Sequence, residues 1–122
     1  MMQTKKKVLL VDDEEAILKI LRLKLMILGY DVITAPDGRE ALDLIDSERP
    51  DIILLDVIMP IVGGFEVLRK LRIISELPVI VFSARPENSQ KAFKLGADDF
   101  LPKPFDVDDL AKRIEILLGN KE

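Results

Sequence analysis

Five short apolar runs recur along the chain, and between them lie stretches whose apolar residues fall at helical spacing. That alternation is the strongest constraint on the fold. The runs Lys7–Val11, Asp31–Ala35, Asp51–Leu55, Pro78–Phe82 and Asp99–Leu101 are too short for buried helices and read as strands. The third, continuous in Ile and Leu, reads as a strand covered on both faces. Helices are expected over Glu14–Leu28, Asp37–Glu48, Phe65–Ile73 and Glu87–Leu95, with Gly29 and Gly96 as stop signals. A last helix carries Val107, Leu110, Ala111, Ile114, Leu117 and Leu118 as one apolar stripe. Strand–helix alternation with short links implies right-handed crossovers and a parallel α/β sheet. A chain of 122 residues suits a single domain over 1–122, with no linker or repeat.

Composition removes several chemistries. With no cysteine there is no disulfide, thiolate metal site or Cys nucleophile, and with no histidine there is no imidazole base, ligand or phosphocarrier. The net charge of −4 disfavours direct nucleic-acid binding, because phosphate backbones reward clustered positive charge. No apolar run approaches the length of a membrane span, and no signal-peptide pattern opens the chain, so no membrane contact and a cytoplasmic location are expected.

Ligands of open parallel sheets bind beyond the carboxyl ends of the strands. Polar residues occupy those ends here: Asp12 and Asp13 after the first strand, Asp56 after the third, Ser83 after the fourth and Lys103 after the fifth. Each has an ordinary explanation taken alone. Asp13 could simply cap the first helix, Ser83 could be a turn residue, and Lys103 could be solvated. Their convergence at one sheet edge argues for more. Three carboxylates brought together repel one another and call for a hard divalent cation with oxygen ligands. Mg²⁺ suits such a set, with Mn²⁺ as a substitute. Asp56 can then act as the nucleophile of a phosphoryl transfer, with Lys103 offsetting charge and Ser83 donating a hydrogen bond.

These residues resemble the receiver domain of two-component response regulators. The matching pieces are Val11-Asp12-Asp13-Glu14, Leu55-Asp56-Val57-Ile58-Met59-Pro60, Gly64, Phe82-Ser83-Ala84 and the stretch from Gly96 through Asp98-Asp99-Phe100 and Lys103-Pro104 to Phe105. They stand in the family's order over nearly the whole chain. The resemblance implies a flavodoxin-like (βα)5 three-layer sandwich with a five-stranded parallel sheet in order 2-1-3-4-5. It implies that Asp56 accepts a phosphoryl group from the phosphohistidine of a histidine kinase or phosphotransfer protein. Asp13, Asp56 and the Ile58 backbone carbonyl would hold Mg²⁺, with Asp12 acting largely through water. Ser83 and Phe100 would be the coupled switch pair, Lys103 would bind the phosphoryl group, and the Lys103–Pro104 peptide would be cis. Ile58 and Arg85, two positions after Asp56 and Ser83, would tune the phosphoryl lifetime. The face formed by helix 4, strand 5 and helix 5 would serve a homodimer or output partner. Such a chain is a phosphorylation-controlled switch that catalyses its own phosphorylation and dephosphorylation, not a turnover enzyme.

The sequence departs from the family at Phe100, where Tyr is frequent, at Ser83, where Thr is commoner, and at Gly63, often Asp. The stretch from Ser83 to Gly96 is about two residues short. A haloacid-dehalogenase-type phosphohydrolase would want a second Asp where Ile58 stands. A flavodoxin-like cofactor binder would want a Ser/Thr/Gly-rich first loop in place of Asp-Asp-Glu-Glu. A receiver that works without phosphorylation would not need its acidic positions filled.

Overall fold

The computed structural model describes residues 5–59 and 62–119. Pro60 of the matched Leu55–Pro60 stretch and both ends of the chain, residues 1–4 and 120–122, lie outside them. Strands β1 (Lys7–Val11), β2 (Asp31–Ala35), β3 (Ile52–Asp56), β4 (Val79–Ser83) and β5 (Asp99–Pro102) alternate with helices α1 (Glu15–Ile27), α2 (Gly38–Glu48), α3 (Gly64–Ile74), α4 (Asn88–Lys94) and α5 (Val107–Leu118). All strand pairs are parallel, and the sheet order is β2-β1-β3-β4-β5, the flavodoxin-like order.

The sheet's period of two divides its side chains between two cores. Leu9, Val11, Ile53, Leu55, Val79, Val81 and Phe100 pack with Ala41, Val67, Leu68, Leu71 and Ala92, so α2, α3 and α4 cover this face. Val8, Leu10, Ile52, Leu54, Ile80, Phe82 and Leu101 pack with Leu18, Leu21, Leu25, Leu110 and Ile114, so α1 and α5 cover the other. Because both faces of the central strands are buried, every residue of β3 and β4 is buried.

Local chemistry sets the helix ends. Gly29 and Gly96 adopt φ of 103° and 106° and close α1 and α4, conformations that penalise any side chain. The Asp37 carboxylate caps α2 by accepting from the Glu40 N–H at 2.9 Å. At the start of α1 Asp13 is not the cap that its position allowed: the capping position is Glu14, and the Glu14 N–H donates to Asp12 Oδ1 at 2.9 Å. The chain turns out of β1 so sharply that the carboxylate two residues back reaches the amide first.

α4 has only 7 residues and contributes one fully buried side chain, Ala92. Its C-terminal end is held by Arg72 of α3, which donates to the Gly96 carbonyl at 2.9 Å and to Asp98 Oδ2 at 2.9 Å. That same Asp98 oxygen accepts the Val79 N–H. Arg113 of α5 is half-buried and pairs with Asp99 at 2.7 Å and with Asp109, while Asp108, Asp109, Lys112 and Glu115 are that helix's exposed charges.

Candidate functional site

The alternation that builds the cores also aims the polar residues. Asp12 continues the parity of Val8 and Leu10, and Asp56 that of Ile52 and Leu54, so both carboxylates belong to the α1/α5 side. Asp13 follows in the exposed loop. A carboxylate oxygen from each of Asp12, Asp13 and Asp56 lies within 4.8 Å of the others. Asp12 is wholly buried and Asp56 is only 4% exposed.

Lys103 completes the constellation from the β5–α5 loop. Its Nζ lies 3.0 Å from Asp12 Oδ2, 3.5 Å from Asp56 Oδ2 and 3.7 Å from Glu14 Oε1. It also stands over the Phe82 ring, 5.0 Å from the centroid, and Phe105 meets that ring edge-on at 5.6 Å. This aromatic floor of the lysine is carried by residues the sequence reading assigned only to the core and to the motif. The Lys103–Pro104 peptide is cis.

Burial pushes the Asp56 carboxyl up to about 6, against the lowering effect of the Ile58 N–H and Lys103, and the Asp12 charge raises it further. Burial alone would lower the Lys103 ammonium. Its hydrogen bond to Asp12 and the charges of Asp56, Asp12 and Glu14 outweigh that and raise it.

Ser83 belongs to the opposite parity. It continues Val79 and Val81 on the α4 side, where Phe100 also lies, paired in register with Val81. The Ser83 hydroxyl is fully buried and accepts from the Arg85 backbone N–H and from Asn88 Nδ2, both at 3.1 Å. The Ser83 carbonyl accepts the Lys103 N–H at 2.8 Å, which ties the two strand ends together. Phe100 is buried, so its ring faces inward. Ile58 is exposed beside Asp56 and donates its N–H to Asp56 Oδ1 at 3.1 Å, and the Arg85 side chain is exposed. The structure therefore gathers Asp12, Asp13, Asp56 and Lys103 in one cluster and sets Ser83 and Phe100 on the adjoining face. Asn88 was missed by the sequence reading. Its only signal was a polar side chain at the first turn after a shortened loop.

Three nearly converging carboxylates with one ammonium leave an excess of negative charge, and the donors are all hard oxygens. That set fits a small divalent cation with few protein ligands. Close approach is also designed into the backbone. A Cβ at Gly64 would collide with the Asp56 carbonyl and lie 2.6 Å from Val57 Cα, so only glycine lets α3 start against the Asp56 turn.

The family model of the response regulator receiver domain matches residues 8–115. The chain is 49% identical over 115 residues to the response regulator MprA of Mycolicibacterium vanbaalenii, covering 92% of this chain and 50% of that protein. It is 43% identical over 119 residues to a probable transcriptional regulator, ycf27, of Guillardia theta, covering 96% of this chain and 47% of that one. The chain thus spans about half the length of these curated relatives. Among solved structures, the receiver domain of Francisella response regulator 1452 superposes with a TM-score of 0.89 at 38% identity, covering 97% of this chain and all of that one. Response regulator TrrA of Thermotoga maritima, solved with Mg²⁺ and beryllium fluoride, superposes at 0.85 with 32% identity, covering 92% of this chain and 98% of that one. The carboxylate cluster, the sheet order that presents it and these likenesses lead to one assignment: this chain belongs to the response regulator receiver domains of two-component signalling.

Proposed function

We propose that the chain is a phosphorylation-controlled switch whose phosphoacceptor is Asp56. The observation that carries this reading is a nearly buried carboxylate held against two other aspartates and one lysine at the carboxyl edge of a parallel sheet. Asp13, Asp56 and the Ile58 carbonyl would hold Mg²⁺, with Asp12 supporting it and Mn²⁺ as a substitute. The metal would neutralise charge as the phosphoryl group arrives.

The protein's own part follows from its side chains. A carboxylate oxygen of Asp56 attacks phosphorus, and an O–P bond forms as the donor's N–P bond breaks. The bonding electrons leave with the imidazole of the donor. This chain has no histidine, so a phosphohistidine donor lies outside it, on a histidine kinase or phosphotransfer protein. Lys103 offsets the added phosphoryl charge, and Ser83 donates to a phosphoryl oxygen. An apolar groove lined by Ile17, Ile20, Leu21, Pro104, Phe105 and Val107 runs up to Lys103 on the α1/α5 side. It offers a donor protein a surface next to Asp56. Hydrolysis of the aspartyl phosphate resets the switch, and the chain does no other chemistry.

Ser83 and Phe100, which share the α4 face, would be the pair through which phosphorylation reaches the surface made by α4, β5 and α5. That surface would meet a second copy or an output partner. The relatives' transcriptional names suggest an output that acts on genes through a part of the protein other than this domain.

Incubation with acetyl phosphate and Mg²⁺, read by intact mass, tests the proposal. One phosphoryl group should be gained, and Asp56→Asn should abolish the gain. A wild-type protein that stays unmodified with Mg²⁺ present would refute it.

A further inference from the structure

The Ser83 hydroxyl has a limited set of hydrogen bonds to make. A serine Oγ offers two lone pairs and one hydrogen. Both lone pairs are filled, one by the Arg85 backbone N–H and one by Asn88 Nδ2. The group is wholly buried, and among the described residues no hydrogen bond takes its hydrogen. Both donors come from the β4–α4 loop and the first residue of α4, so what the hydroxyl has left to offer is its hydrogen.

We propose that Asn88 is a positioning residue for the Ser83 hydroxyl, filling its second lone pair so that the hydroxyl can only donate, toward the phosphoryl group on Asp56. The inference rests on the reading of Asp56 as phosphoacceptor. Accepting two hydrogen bonds also polarises the O–H and strengthens it as a donor. The Arg85 contribution comes from the backbone and belongs to the turn itself. Asn88 supplies the part that depends on a side chain, and its reach depends on the short path from Ser83 to the start of α4. Because Asn88 is the first residue of α4, the same bond makes the position of that helix part of the phosphoryl-binding geometry.

Binding of beryllium fluoride with Mg²⁺, measured by calorimetry, tests the assignment in wild type, Asn88→Ala, Ser83→Ala and the double variant. Loss of one hydrogen bond predicts binding weakened about two- to tenfold by Asn88→Ala. In the Ser83→Ala background the Asn88 substitution should have no further effect, since its target is gone. Asn88→Leu removes the donor while keeping the side chain's bulk, and should repeat the result if alanine disturbs the helix start. Equal or tighter binding by both Asn88 variants overturns the positioning role, as does an undiminished loss in the Ser83→Ala background. If wild-type protein binds no beryllium fluoride and takes no phosphoryl group from acetyl phosphate, the reading of Asp56 falls and the proposal falls with it. Wild-type binding that is indifferent to Asn88 removes the positioning role alone.

Discussion

Asp56 is a carboxylate that the fold would rather keep protonated. Its pKa rises from 3.8 to about 6 on folding, chiefly through burial. The native state therefore holds a proton that the unfolded state has lost between those values, and stability falls as pH rises through that window. In chelator, wild-type stability should drop by on the order of 2–3 kcal/mol between about pH 4 and pH 7 relative to Asp56→Asn, measured by urea unfolding. Parallel pH profiles for the two proteins would contradict this. Ile58 makes a second residue-scale prediction. Its exposed side chain flanks Asp56, where we propose that it hinders an attacking water. Ile58→Ala should shorten the lifetime of the aspartyl phosphate about threefold, the effect of roughly 0.7 kcal/mol on the hydrolysis barrier. A decay rate unchanged by the substitution would remove Ile58 from this role. Asp12, Asp13, Asp56, Ser83 and Lys103 could be read from sequence because polar residues at the ends of apolar runs stand out. Asn88 could not, because its partner is chosen by the path of a loop and not by any periodicity.

At the scale of elements, every strand and helix expected from patterning is present, with ends that differ by at most one residue. The apolar runs and the glycine stops are local signals, so they survive folding unchanged. Caps are decided by the chain's direction on leaving a strand, which is why the start of α1 depends on Asp12 and not Asp13. α2 ends at Arg49 in a left-handed conformation, φ 50°, where no glycine announced it. The order of the strands is likewise invisible to periodicity, and came from the family resemblance. The junction of β3 and α3 gives the element-scale prediction. Gly64→Ala should destabilise the fold by roughly 1–3 kcal/mol through overpacking against the Asp56–Val57 backbone. It should also slow phosphorylation by acetyl phosphate, because the strain falls on the residue that carries the nucleophile. A variant with wild-type stability and rate would show that the turn can yield.

For the whole molecule, a cation that binds only the folded cluster must stabilise it by mass action. Mg²⁺ at about 100 times its dissociation constant should add roughly 2.7 kcal/mol, seen as a rise in Tm that is absent in Asp13→Asn. An equal rise in that variant would place the cation elsewhere. The two-sided core has a wider consequence. Asp12 and Asp56 share the parity of the α1/α5 face, while Ser83 and Phe100 share that of α2, α3 and α4. Under the proposed function the sheet is a partition, with the phosphoryl group added from one side and sensed from the other. We propose that a sender seated over α1 and a listener confined to α4 do not compete for space, so that the switch is reloaded while such a reader stays attached, whereas a reader that also covers α5 would meet the sender. A ternary assembly of donor, this domain and an α4-bound partner is the expected result of mixing all three, and strict mutual exclusion would show that the partition leaks.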